Sequence, residues 1–371
     1  MTRLDRNFFC IPNGIGKCKH YTLSLQCMKS FSKTWREKLV YLASMLLNKA
    51  INRGKDIKAF TPKHILCIRQ DEIGDMCYSL HVFTMLKQQF PDAKITLLCK
   101  PAAITLLNNN PNITHLTSNF GDLIHTYDIM IDLRGTWRSI LFSLTHWPKV
   151  RLDRATVRFA NSKAGKHTHE VLTNLQVVEP IIDKQNRNTS PQIFTSKPDK
   201  KKAEDFLIDN NIGAFVLLHI GARKTLRKWN QFAQLATYLK KQKNLNIVFT
   251  GDKYEVREIK KLQSTLAFET YSIAGFFNLT ELSALAAMSK LYVGNESGPL
   301  HIAAVSGAKC IGLYGPGEPY VFYPWGNKSE VIHPILECNP CNQIHCVHPE
   351  NPCINRIMLS EVIEKVERLL Y

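Results

Sequence analysis

From residue 64 onward, short apolar runs alternate with segments of helical periodicity. "ILCIR" (65–69) predicts a buried strand, and a helix is expected over 76–90, ending before Pro91. "KITLLC" (94–99) predicts the next strand, a helix follows over about 101–108, and "YDIMIDL" (127–133) predicts a later strand. The alternation pauses at 183–202, a polar stretch with two prolines and a lysine run, which reads as an interdomain linker. It resumes with a helix over 201–211, strand 215–221, helix 230–242 and strand 246–251. A helix near 254–266, a strand "TYSIAG", a helix over 280–288 and a strand "KLYVG" complete the series. Such alternation predicts an α/β protein with parallel sheets covered by helices, here as two βαβ lobes of similar size.

Upstream the pattern differs. Residues 1–30 read as irregular, and "FSKTWREKLVYLASMLLNKAINR" (31–53) reads as an amphipathic helix. Trp35, Leu39, Leu42 and Leu46 recur at helical spacing, with Lys33, Arg36, Lys38 and Lys49 nearby. Two readings stay open for it: docking on the lobe that follows, or lying on an acidic membrane surface. The expected division is a basic extension over 1–60, lobes over 61–190 and 191–335, and a cysteine-rich loop with a final helix over 336–371.

Charge sharpens this picture. The formal net charge is +17, and residues 1–60 carry twelve Lys/Arg against three Asp/Glu. A basic surface favours anionic partners. A nucleic-acid binder would set aromatic platforms among its cations, and the basic segment shows few aromatics arranged that way, so no nucleic-acid partner is expected. No apolar run approaches the roughly 20 residues needed to span a bilayer, and no secretory signal pattern opens the chain. The eleven cysteines are odd in number, and seven of them (Cys10, Cys18, Cys27, Cys67, Cys77, Cys99 and Cys310) are scattered. That usage predicts reduced thiols and a cytoplasmic protein.

In open α/β sheets ligands sit beyond the carboxyl ends of strands, and four such loops stand out. "RQDEIGD" (69–75) ends on Asp75, either a helix cap or a general base. "GARKTLRKW" (221–229) brings Arg227 and Lys228 to a helix start, where phosphate binding competes with simple solvation, and Trp229 is expected to anchor the loop. "GDKYE" (251–255) ends on Glu255, which suits a ribose diol or a helix first turn. In "NESGPLH" (295–301), Ser297 is a candidate cap and Gly298-Pro299 opens a helix whose first turn carries His301, a combination suited to a phosphate. No P-loop and no G-x-G-x-x-G is present.

The order "ILCIRQDEIGD", "IGARKTLRKW", "VFTGDKYE", "VGNESGPLHIAAVSGAKCIGLYGP" resembles glycosyltransferase family 9, the heptosyltransferases of lipopolysaccharide synthesis, over residues 64 to 371. The resemblance implies a GT-B fold: two Rossmann-like, doubly wound lobes facing a cleft, with the N-terminal amphipathic helix as an addition. It implies that the first lobe binds a lipopolysaccharide core or related anionic glycan. The second would bind a nucleotide sugar, ADP-heptose or another. The final helix would cross back to the first lobe. It further implies inverting transfer by direct displacement, with no cofactor or divalent metal required. Asp75 matches the family's base, Glu255 its ribose-binding acid, and Ser297, Gly298 and His301 the residues around the diphosphate. Arg227 stands where the family usually has lysine, and Glu296 where it often has aspartate. One methylene moves a carboxylate by about 1.5 Å, which leaves another sugar donor, a protein acceptor or an inactive nucleotide-binding module as alternatives. Arg134 and Arg138 in "DLRGTWRS" are acceptor candidates or surface arginines, and "HTHE" (167–170) reads as lobe surface. The expected location is cytoplasmic, peripheral at the inner face of the inner membrane.

"CNPCNQIHCVHPENPC" gathers Cys338, Cys341, Cys346 and Cys353. The spacing suits a structural zinc or iron site as well as reduced thiols or local disulfides. Related autotransporter heptosyltransferases carry an iron-bound cysteine motif.

Overall fold

The structure is a computed structural model describing Phe8–Pro12, Cys18–Thr22 and residues 35–371 except His125, Asn327, Asn342 and Ile344, with side chains from Leu39 onward. Strands β1 (Phe8–Pro12) and β2 (Cys18–Thr22) pair antiparallel where the sequence reads as irregular. The side chains of Cys10, Cys18, Cys27 and Trp35 lie outside the described set. Cys67, Cys77, Cys99 and Cys310 are buried free thiols, as expected.

The chain divides into two compact units, one over Lys33–Phe194 and one containing Thr195–Tyr371. The first holds β3 (His64–Arg69), β4 (Lys94–Cys99), β5 (His115–Thr117), β6 (Ile129–Asp132) and β7 (Val150–Asp153). They form one parallel sheet in the order β5-β4-β3-β6-β7. The second unit holds β8 (Phe215–His219), β9 (Asn246–Thr250), β10 (Tyr271–Ser272), β11 (Leu291–Asn295), β12 (Cys310–Leu313) and β13 (Ser329–Ile332). Its parallel order is β10-β9-β8-β11-β12-β13. Both units are Rossmann-like. In each, the winding reverses at one strand pair, β3/β6 and β8/β11, and loops leaving those pairs are where a ligand site forms.

The polar linker is shorter than its composition suggests. The units part between Phe194 and Thr195. A helix, Lys197–Asp209, then starts inside the polar stretch, with Ser196 and Asp199 forming a reciprocal capping box and Pro198 in the first turn. The helix Trp35–Asn52, read as part of an extension ending at residue 60, packs on the first unit. Val40, Leu47 and Ile51 join Ile140 in a common cluster. Asn52 clamps the backbone of β7, donating to Arg151 O at 2.6 Å and accepting from Arg151 N at 2.9 Å. The final helix spans Leu359–Leu370. Its buried Val362 and Val366 belong to the core of the second unit, beside Leu235, Leu239 and Leu291. No helix among the described residues is long and apolar enough to cross a membrane.

Candidate active site

In the first unit, Arg69 ends β3 and is fully buried. Burial pulls its pKa down, while Asp75, Glu170 and Asp132 oppose that pull. Its guanidinium lies 3.1 Å from Asp71 and 3.4 Å from the Asp75 carboxylate. It also donates to the Asp75 carbonyl, from Nε at 3.3 Å and from Nη2 at 3.2 Å. That carbonyl accepts from Ser79 Oγ as well, at 3.1 Å, while Ser79 N–H turns to Met76 O at 2.9 Å. A guanidinium thus replaces a helical hydrogen bond, and the single helix expected over 76–90 is split into Ile73–Cys77 and Leu80–Gln89. Asn174 Nδ2 holds the break by donating to Tyr78 O at 2.9 Å.

Asp75 is therefore not a cap. Glu72 occupies the cap position, and Asp75 sits within the first turn. Its side chain remains 25% exposed while its Arg69 partner is fully enclosed. The carboxylate has a cation on one side and solvent access on the other, so a substrate hydroxyl could reach it.

Behind Arg69 lies a group that the sequence reading missed. Glu170, in the segment read as lobe surface, is completely buried, and His169 is nearly so. "HTHE" packs inward because His169 caps the helix Glu170–Val178 by accepting from Val171 N at 3.2 Å. Its ring also packs edge-on against Tyr78 at 5.0 Å. Glu170 meets Arg154 at 2.6 Å and Arg69 at 3.7 Å, and Arg158 closes on its other oxygen. Burial pushes Glu170 toward protonation, but Arg154, Arg158 and Arg69 outweigh it and hold the carboxyl well below its usual range. Burial and the neighbouring Arg158 bring Arg154 down to about 10.

The two acceptor candidates part company. Arg134, leaving β6, pairs with Asp71 and so joins the Arg69 group across the β3/β6 reversal. Arg138 stands exposed on the helix Trp137–His146, and no described ion pair ties it to that group.

In the second unit, the three candidate loops leave β8, β9 and β11, which are adjacent. Asn295 at the end of β11 fastens the cationic loop. It accepts from Trp229 N at 3.0 Å and donates to Ile220 O at 2.8 Å. Trp229 anchors the loop as expected, buried and donating from its indole to Ile357 O at 2.9 Å. Arg227 lies 3.3 Å from Glu296 and donates from Nε to Gln343 Oε1 at 2.7 Å. Lys228 turns away to Glu258.

Glu255 does not simply cap a helix. Its carboxylate folds back to accept from Asp252 N at 2.9 Å, and a Cβ on Gly221 would fall 1.6 Å from Oε1. Glycine at 221 is what lets the carboxylate rest on the backbone just beyond β8. Beside it, the buried His219 donates from Nδ1 to Thr250 O at 3.0 Å, and burial keeps its pKa below the ordinary value.

Ser297 precedes the helix Gly298–Val305 but makes no side-chain capping bond, contrary to expectation. Its Oγ is buried without a partner, and so is Glu296 Oε2. Burial raises the Glu296 pKa, and the nearby Arg227 works against that rise. Pro299 occupies the first turn, and His301 is buried on the same turn. The place thus combines an uncapped helix start, the cations Arg227 and Lys224 and two buried oxygens lacking partners.

The four clustered cysteines line one pocket with His345, His348, Leu226 and Pro316. Cys353 is buried, Cys338, Cys341 and Cys346 are half-buried, and all four are free. The donor set suits a thiolate-bound metal. Among the described residues, no three potential ligands gather at metal-binding spacing.

Residues 122–351, more than half of the chain, match the model of glycosyltransferase family 9 (heptosyltransferase). The chain belongs to that family. The family 9 chain is 24% identical over 295 residues to the lipopolysaccharide core heptosyltransferase OpsX of Haemophilus influenzae, covering 73% of this chain and 84% of OpsX. The solved family 9 glycosyltransferase of Veillonella parvula superposes with a TM-score of 0.71 at 19% identity, over 83% of this chain and 97% of that one. The E. coli ADP-heptose lipopolysaccharide heptosyltransferase II gives 0.64 at 20% identity, over 83% and 98%. This family 9 protein is a glycosyltransferase with the GT-B fold, a heptosyltransferase of the lipopolysaccharide-core family.

Proposed function

We propose that this transferase moves a heptose from ADP-heptose to a sugar hydroxyl of the lipopolysaccharide core, with Asp75 as general base. The observation that carries the donor half is the helix start after β11. Ser297 Oγ and Glu296 Oε2 are buried without partners there, and buried polar groups call for one. The turn after β11 would receive the diphosphate on the backbone N–H groups of Ser297, Gly298 and Leu300, with Arg227 and His301 beside it, while Pro299, which has no N–H, fixes the first helical turn. Glu296 Oε2, an acceptor, suits a donor sugar hydroxyl, and Glu255 suits the ribose diol.

In the first unit, Asp75 takes the proton of the acceptor hydroxyl as that oxygen attacks the anomeric carbon. The C–O bond to the diphosphate breaks from the opposite face, and configuration inverts. Arg69 aims the base, and Glu170 holds Arg69. The leaving diphosphate gathers charge that Arg227 and the helix N–H groups stabilise. Arg134, whose side chain stays 46% exposed beside Asp71, is the first unit's candidate for an anionic group on the acceptor. Lys228, already paired with Glu258, has no direct part in this reading.

The exchange of aspartate for Glu296 favours keeping a second reading, the same chemistry with a different nucleotide sugar. Isothermal titration with ADP, UDP and GDP, followed by transfer assays with ADP-heptose, separates the two. Selective ADP binding with turnover supports heptose transfer. Binding of UDP or GDP alone would replace the donor, and no binding of any nucleotide would leave an inactive module.

A further inference from the structure

The helix Trp35–Asn52 is docked along one line and bare along another. Val40, Ser44, Leu47 and Ile51 are buried. Leu39, Leu42 and Leu46 are 49%, 52% and 60% exposed. The helix Trp137–His146 repeats this arrangement. Ile140 is buried against Val40, Leu47 and Ile51, while Trp137, Leu141 and Leu144 are 49%, 58% and 50% exposed.

The two bare lines border one seam. On a helix, residues three or four apart are surface neighbours. Ala43, which packs into the cluster, therefore neighbours Leu39 and Leu46. Ile140 likewise neighbours Trp137 and Leu144. Six large apolar side chains thus flank a shared contact on its solvent side, and Trp147 just beyond the second helix is also half exposed. A patch of this kind on a folded lobe marks an interaction surface.

Charge selects the partner. No carboxylate occurs between Leu39 and Lys55. Between 137 and 166 the one carboxylate is Asp153, which is buried. Lys49, Arg53 and Arg138 are exposed around the apolar lines. A second copy of this face would set cations against cations in a two-fold contact. A bilayer with anionic headgroups accommodates leucine, tryptophan and cations together.

We propose that this two-helix face docks the first lobe onto a bilayer rich in anionic phospholipid. The leucines and Trp137 enter the acyl boundary, and the cations meet headgroup phosphates. The docked and membrane-lying readings of the first helix thus describe two faces of one element.

Co-sedimentation of the full chain with vesicles tests this. One set contains phosphatidylglycerol and phosphatidylethanolamine, the other phosphatidylcholine alone. The protein should partition onto the anionic vesicles, and added salt should release it. The double variant Leu42→Ser with Leu141→Ser should lower the partition coefficient about tenfold through lost apolar burial, with melting temperature and nucleotide binding unchanged. Lys49→Gln with Arg53→Gln should weaken binding and flatten its salt dependence. Wild-type partitioning by the leucine variant would overturn the proposal, as would equal binding to both vesicle types. A dimer in sedimentation equilibrium that the leucine variant splits, with no vesicle binding by the wild type, would assign the face to self-association instead.

Discussion

Arg227 Nε donates to Gln343 Oε1 at 2.7 Å, joining positions 116 apart in the chain. Arg227 is also 3.3 Å from Glu296, so two acceptors on different loops set its guanidinium. Leu226, the preceding residue, lines the cysteine pocket. The cysteine-rich loop is therefore a wall of the candidate donor site. Gln343→Ala should raise the donor KM by about tenfold, the scale of one hydrogen bond to a charged group, with kcat little changed. Arg227→Ala should raise it further and lower kcat. Steady-state kinetics decide: an unchanged KM in Gln343→Ala would mean that Glu296 alone suffices to hold the arginine.

Asp75→Asn keeps the side-chain shape and removes the base. Turnover should fall by about two to four orders of magnitude, while donor affinity measured by calorimetry stays at the wild-type value. Turnover within threefold of wild type would move the base elsewhere.

Glu170 faces three arginines with no exposure of its own. Glu170→Gln removes the buried countercharge, and the expected cost is about 3–5 kcal/mol of stability in urea unfolding. The pH dependence has a definite sign. The folded-state pKa lies below the ordinary value, so the stabilisation is fully present above an ordinary glutamate pKa of about 4.3. It is lost as pH falls through the depressed folded value. The variant should show a flatter acid limb than wild type, and identical limbs would refute the assignment.

Gly221→Ala puts a methyl where the Glu255 carboxylate now lies, 1.6 Å from Oε1. The carboxylate must swing away. Nucleotide binding should weaken by about tenfold or more, the loss of at least one good hydrogen bond. Glu255→Ala should weaken it similarly, and the double variant should be no worse than either alone. Additive losses would separate the two positions.

Much of this was legible along the chain. Two α/β lobes followed from alternating apolar runs, because parallel strands buried on both faces read as continuous hydrophobic text. The loops bearing Asp75, Arg227, Glu255 and Ser297 could be located because function gathers at strand carboxyl ends. The segment 150–178 was not legible. Arg151, Arg154, His169 and Glu170 are buried there, yet their composition reads as surface. Only partners brought from distant strands make such charges tolerable inside a protein.

Sequence alone determined the family, the two-lobed architecture and the candidate loops at the strand ends, since each rests on local pattern and short motifs. Tertiary structure decided which of those residues meet. It gave Arg134 to Asp71 and left Arg138 on the surface, and it gave Lys228 to Glu258. It left Ser297 without the cap it could have formed, and it turned the first helix so that one apolar line packs while another stays bare. These outcomes depend on sheet order and side-chain direction, quantities set by long-range packing that no short window of sequence contains.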